Sequence, residues 1–232
     1  HGTARATVDL YKYVVGLARA GLDNLVCFTE LIDNSLDAQA TSVRIVVKNG
    51  KEFRIHDNGT GIPDITSLVC FGGHVSHRST QSGVYGVGFK DAALVLGGEG
   101  SKVTVSTHSG GTRTECTIDW HRLKDTDECM EWDSDAEVDA VPGTEIAIQP
   151  LKQRFPEGDR REKLLSQLGY IYSPAIKRGA VIQITTGTKK GGKIVADAPS
   201  PRVSKAVNTS QVSKVTKLPE KSASASAADK RE

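Results

Sequence analysis

The sequence predicts an α/β domain, and three observations lead there. Two runs near the start repeat their apolar residues at helical spacing. Short segments further on alternate apolar and polar residues and come in pairs joined by Gly-containing turns. A helix-like run, "FKDAALVLG", falls between two such pairs.

Residues from about Thr7 to Ala20 place Val8, Leu10, Tyr11, Val14, Val15, Leu17 and Ala18 at helical spacing, with Gly21 as the stop. A second helix is expected from about Asp23 to Asp37. "SVRIVVK" and "EFRIHD" alternate as two strands, with "NGK" as their turn. "DITSLVCF" predicts a short helix beginning near Asp64. A Gly-, Ser- and His-rich loop follows from Gly72 to Gly88, and "FKDAALVLG" is a helix stopped by Gly97. "KVTVSTH" and "TRTECTIDW" form a strand pair across Ser109-Gly110-Gly111, and "GTEIAIQ" is a further strand. "DRREKLLSQLGYIY" is then a helix and "AVIQITTG" a strand. Residues 199–232 carry seven Lys/Arg against three Asp/Glu and show no periodic apolar face, so they are expected to be a disordered basic tail or linker.

A chain of 232 residues with 38% hydrophobic and 25% charged residues has enough apolar surface for a core. A net charge of +2 is too small to argue for nucleic acid. No apolar run reaches the length of a membrane span, and no signal-peptide pattern opens the chain. The start at His1 rather than Met leads us to expect a trimmed start or a fragment. Cys27, Cys70, Cys116 and Cys129 are scattered and form no CxxC pair, which predicts free thiols in a reducing, cytoplasmic or nuclear compartment. No His lies at ligand spacing from a Cys, so a zinc site is not expected.

The stretch "FTELIDNSLDAQATSVRIVV" carries unusual polarity for a core helix. Successive helical residues lie about 100° apart. Glu30, Asn34 and Asp37 therefore share a face, with Asp33 beside them and Val26, Leu31, Ile32 and Leu36 opposite. A solvated acidic face is the ordinary explanation. Against it stand a mid-helix Asn and the absence of any Lys or Arg in the helix after Asp23. An oxygen-rich face suits a hard cation such as Mg²⁺, which keeps several waters and usually arrives with phosphates. In "HDNGTGI", Gly59 and Gly61 allow a sharp turn and close approach to a flat ligand, and Asp57 can accept a hydrogen bond from an exocyclic amine. "GVYGVGFK" places glycines before a helix, where free N–H groups and the helix dipole favour an anion. It is neither a Rossmann fingerprint nor a Walker A loop.

Four segments in order, "ELIDNSLDA", "DNGTGI", "GVYGVGF" and "GTEIAI", resemble the motifs of the GHKL ATPase superfamily, which includes gyrase B, the ninety-kilodalton heat-shock chaperones, histidine kinases, MutL and the MORC proteins. The resemblance covers about Asp23 to Gln149. Glu30 to Ala38 is close to the chaperone and MutL versions, whereas Asp33-Asn34, "FGG" at 71–73 and "GVYGVGFK" lean toward MORC-like members. It implies a Bergerat-type two-layer sandwich, with helices on one face of a mixed, mainly antiparallel sheet. It implies Glu30 as general base, Asn34 as Mg²⁺ ligand, and Asp37 and Ala38 in the nucleotide pocket. Asp57 would bind adenine over a floor shaped by Gly59, Gly61 and Ile62. Gly83, Gly86 and Gly88 would hold the phosphates in an ATP lid, together with Val84, Tyr85, Val87 and Phe89. Lys90 matches a lid lysine of MORC-like members, and Thr144 the threonine near adenine. ATP and Mg²⁺ are the implied cofactors, and an ATP-dependent homodimer the implied assembly. Nucleic acid or a client protein would engage regions outside this domain, and no membrane is involved.

The expected organisation is an ATP-binding domain over 1–150, the start of a transducer-like segment over 151–198, and the tail. Lys152, Lys177, Lys189 and Lys190 are candidates for the γ-phosphate lysine that several relatives take from the following segment. His74, Ser76, His77, Arg78 and Ser79 are expected to be exposed loop polarity. Trp120 and Trp132 are expected to pack, and 125–139 to form a solvated acidic loop. Two other functions stand beside the ATPase: a nucleotide-sensing module that does not hydrolyse, and a histidine-kinase-type domain.

Overall fold

A computed structural model of the chain describes residues 8–48, 50–71, 87–137 and 139–187. The glycines at 83 and 86, the intervening Val84 and Tyr85, most of "FGG", His74 and His77, and residues 199–232 lie outside them.

Helix α1 (Leu10–Ala18) opens on Asp9, whose carboxylate accepts from the Lys12 amide at 2.9 Å. Helix α2 (Asn24–Asp37) opens in the same way on Asp23, which accepts from the Val26 amide at 3.0 Å. Strands β1 (Ser42–Lys48) and β2 (Glu52–Asp57) follow, then a single 3₁₀ turn at Ile65–Leu68. Helix α3 (Gly88–Gly97) leads to β3 (Lys102–Ser109) and β4 (Thr112–Asp119). After a second 3₁₀ turn come β5 (Met130–Ala136) and β6 (Gly143–Gln149), then α4 (Gly158–Ile171), α5 (Ser173–Lys177) and β7 (Val181–Gly187).

The strands form one sheet in the order β5-β4-β3-β6-β2-β1-β7. Every neighbouring pair is antiparallel except β1 with β7. The sheet is thus mixed and mainly antiparallel, as the resemblance implies. Segment 158–187 adds β7 to one edge of this sheet, beside β1.

Strand periodicity sends one set of side chains toward the helices. Val47, Phe53, Ile148, Val103 and Ile118 lie in one cross-strand row, and Ile45, Ile55, Ile146, Val105 and Cys116 in the next. Against them pack Cys27, Phe28, Leu31 and Ile32 of α2, and Ala92, Ala93, Leu94 and Leu96 of α3. Each fully buried aliphatic or aromatic side chain contributes about 1.5–3 kcal/mol, so these two rows anchor the layers. The third row on the same face is polar: Asp57, Thr144 and Thr107 are register partners in turn. The core face therefore ends in a strip of hydrogen-bonding groups at one end of the sheet.

Three expectations need correction. Val26 is exposed, and Cys27 and Phe28 take its place on the buried side of α2. The acidic stretch 125–139 contains a strand, β5, which among the described residues pairs only with β4, at the sheet edge. Its side chains are almost all exposed, so it has no apolar alternation to betray it. Trp132 lies on this strand and is 51% exposed, because the edge extends beyond the helices; Trp120 is fully buried, as expected.

Candidate nucleotide site

Ser35, on the buried side of α2 one residue after Asn34, meets the polar strip of the sheet at Asp57. The aspartate is 6% exposed. Its Oδ1 accepts from the Gly59 amide at 2.9 Å, and its Oδ2 accepts from the Ser35 hydroxyl at 3.0 Å. Burial raises its pKa above the usual carboxylate range, and the bonds from Gly59 and Ser35 oppose the rise. Thr107 ties the strip together: its hydroxyl accepts from the Ile62 amide at 2.9 Å and lies 3.2 Å from the Thr144 hydroxyl.

The loop after β2 is held close to its neighbours. A Cβ on Gly59 would stand 2.7 Å from the Ala38 carbonyl oxygen and 3.0 Å from Asp57 Oδ1. Gly61 combines φ +75° with a position where a Cβ would overlap the His108 carbonyl. The Thr60 amide donates to the Ala38 carbonyl at 2.8 Å, so the loop is pinned to the end of α2. Ala38, Gly59, Gly61, Ile62, Asp57 and Thr144 are thereby gathered in one place.

Glu30 faces the start of α3. A Cβ on Gly88 would overlap Glu30 Oε2, so the carboxylate rests directly on the first residue of that helix. Helix geometry leaves the first amides of α3 without intrahelical acceptors, and its N-cap, Val87, contributes no side-chain bond. Burial raises the pKa of Glu30, with Asp33 and then Asp91 adding to the rise. Asp91 is raised by its own burial, and its Oδ1 is a buried atom without a hydrogen-bond partner among the described residues. Asn34 and Asp37 follow Glu30 on the same face of α2, as the spacing requires. Among the described residues no group of three or more His, Cys, Asp or Glu could hold a metal.

Phe89 and Lys90 behave differently from the rest. Phe89 is buried in the core. Lys90 is only 1% exposed; its ammonium donates to the Ser67 carbonyl at 3.2 Å and lies 5.5 Å from the Phe71 ring centre. Burial lowers its pKa. Of the candidate lysines, Lys152 donates to the Ala18 carbonyl at 3.4 Å and packs on Gly98, at the far end of α3 from Gly88. Lys177 is exposed on α5, and Lys189 and Lys190 lie outside the described residues.

Ser35 and Thr107 are additions to the sequence-based set. Each is a small hydroxyl that becomes a site residue only when folding places it beside Asp57 or Thr144. For Ser35 the available signal is its place inside "ELIDNSLDA", directly after Asn34. Thr107 shows only as a polar residue at a core-facing strand position.

A two-layer sandwich whose core face ends in a buried aspartate, beside a glycine-rich turn and an uncapped helix start, has the features of a nucleotide-binding domain. Comparison with known families agrees: residues 25–145 match the histidine kinase-, DNA gyrase B- and HSP90-like ATPase family. The chain belongs to that family. The DNA mismatch repair protein MutL of Shewanella piezotolerans is 31% identical over 135 residues, covering 56% of this chain and 18% of that protein. MutL of Gemmatimonas aurantiaca is 34% identical over 134 residues, covering 55% of this chain and 21% of that protein. The solved Aquifex aeolicus MutL ATPase domain complexed with ADP overlays with a TM-score of 0.46 at 18% identity, covering 71% of this chain and 60% of that one.

Proposed function

We propose that the chain binds Mg²⁺-ATP and hydrolyses it, serving as the ATPase module of a larger intracellular machine. The observation that carries this reading is the seating of the Glu30 carboxylate on Gly88. It sets a proton acceptor against a glycine-led, uncapped helix start of the kind that holds phosphate. Phosphoryl transfer needs positioning and charge neutralisation more than covalent chemistry. Asp57 takes the adenine amine, with Gly59, Gly61, Ile62, Ala38 and Thr144 shaping that end of the pocket. Gly83, Gly86 and Gly88 supply amides for the phosphates. Asn34 offers one protein oxygen to Mg²⁺, which suits a cation that keeps waters and shares phosphate oxygens; when bound, the ion neutralises phosphate charge. Glu30 takes a proton from the attacking water as its oxygen bonds to the γ-phosphorus and the β–γ bridging oxygen leaves with ADP. A carboxylate whose pKa is raised toward neutrality is a better base for that step.

Lid closure and ATP-dependent pairing of two copies complete the proposed cycle. Nucleic acid or a client protein would be engaged outside residues 1–150. The segment after residue 150 would relay the cycle to them.

One observation favours a second reading, in which ATP is bound and sensed without turnover. Lys152 is engaged at the opposite end of α3 from Gly88, about 15 Å away along a ten-residue helix, and Lys177 is exposed. Calorimetry with and without Mg²⁺, beside steady-state phosphate release, separates the two. The ATPase reading expects Mg²⁺-dependent binding and measurable release. Binding with no release supports sensing, and no binding overturns both.

A further inference from the structure

Tyr172 stands at the corner between α4 and α5, outside the stretch 25–145 that matches the family. Leu164, Leu168 and Tyr172 recur every four residues, and all three are buried. They form the stripe through which α4 reaches the core. The first two are aliphatic. The third ends in a hydroxyl, although it is 5% exposed. Packing alone would be served by Phe, because a buried hydroxyl is costly unless it is bonded.

That hydroxyl is bonded to α2. It donates to Asp33 Oδ1 at 2.8 Å and lies 3.1 Å from the Thr29 carbonyl oxygen. The two acceptors bracket Glu30 in the chain, and Asn34 follows Asp33 directly. A single atom from the segment after residue 150 therefore holds the helical turn that bears the proposed base and that leads directly into the proposed metal ligand. It also commits the Asp33 carboxylate to α4. From the same corner, α5 leads through Gly179 into β7, which pairs with β1.

We infer that Tyr172 is a positioning residue: its hydroxyl fixes the Thr29–Asp33 turn, so the geometry of Glu30 and Asn34 is set by the α4–α5 corner. The inference rests on the ATPase reading above. Catalysis depends steeply on such placement, because small displacements of a positioned group cost large factors in rate.

The test compares Tyr172→Phe, Asp33→Asn, Asp33→Ala and the double variant Tyr172→Phe/Asp33→Ala with the unaltered chain. It measures phosphate release, Mg²⁺-ATP affinity by calorimetry, thermal midpoint and amide hydrogen exchange. Tyr172→Phe should lower kcat on the order of tenfold while Kd stays within about twofold. Asp33→Asn keeps an acceptor for the hydroxyl and should retain most of the turnover. The double variant should be no slower than its slower parent, because both changes break one interaction. An unchanged kcat in Tyr172→Phe overturns the inference, as does a fall in kcat matched by a loss of affinity and of folded protein. If the unaltered chain binds ATP but releases no phosphate, the hydrolysis reading fails on its own, and exchange decides the inference. Amides 33–37 should then exchange on the order of tenfold faster in Tyr172→Phe, with α3 unchanged; equal exchange overturns it.

Discussion

Gly88 has no room for a methyl group unless Glu30 moves. The atom in the way is the end of a flexible side chain, and Ala is a better helix former than Gly. Gly88→Ala should therefore leave the fold intact, with an unfolding midpoint equal to or above that of the unaltered chain. Phosphate release should fall on the order of tenfold or more, as the carboxylate is displaced. Paired midpoint and turnover measurements check this. Asp57 permits a second test. Burial raises its folded-state pKa, so the folded chain holds that proton more tightly than the unfolded chain does. Its contribution to stability is fully present below the ordinary carboxylate value and is lost as pH rises through the raised one. Asp57→Asn removes this titration. The midpoint difference between the two proteins, followed from about pH 3.5 to pH 7, should shift against the unaltered chain as pH rises; a constant difference would contradict the assignment. Both residues stand out in the sequence by their motifs. Ser35 shows only by lying inside "ELIDNSLDA", and Thr107 and Tyr172 do not stand out at all, because each acquires its partner across a separation in sequence that no local pattern records.

At the scale of elements, the end of α2 shapes the site as much as its polar face does. The Gln39 amide donates to the Leu36 carbonyl and the Ala40 amide to the Ser35 carbonyl, which closes the helix in a Schellman motif. That closure needs a left-handed residue, and Gln39 adopts φ +64°. Ala38 is thereby turned so that its carbonyl receives the Thr60 amide under the glycine loop. Gln39→Val puts a β-branched residue in this conformation and should destabilise the chain by about 1–2 kcal/mol, whereas Gln39→Gly should be at least as stable as the original. Chemical denaturation of the two variants checks the contrast. The helices and the β1–β2 and β3–β4 pairs are legible because each carries a period and a stop signal. Strand β5 is not: its side chains face solvent at the sheet edge, and its place comes from backbone pairing with β4. A run of exposed carboxylates has the same composition in a loop as in such a strand.

Across the whole molecule, the sheet brings together parts that the sequence separates. Strand β7 joins β1 in parallel, Leu164 and Leu168 of α4 reach the core, and Tyr172 at the end of α4 bonds to α2. The apolar rows of the sheet hold the helices, and the polar row at its end receives Ser35 of α2. The unusual polarity of "ELIDNSLDA" therefore has a structural setting. Ser35 turns to Asp57, Asp33 to Tyr172, and Glu30 to the start of α3. The central claim is that this last contact makes the chain an ATPase with Glu30 as its base. The most direct test is phosphate release by the unaltered chain and by Glu30→Ala, with Mg²⁺-ATP affinity measured on both. Turnover in the original, its loss in Glu30→Ala and equal affinity in the two are the expected results. Undiminished turnover in Glu30→Ala would contradict the account.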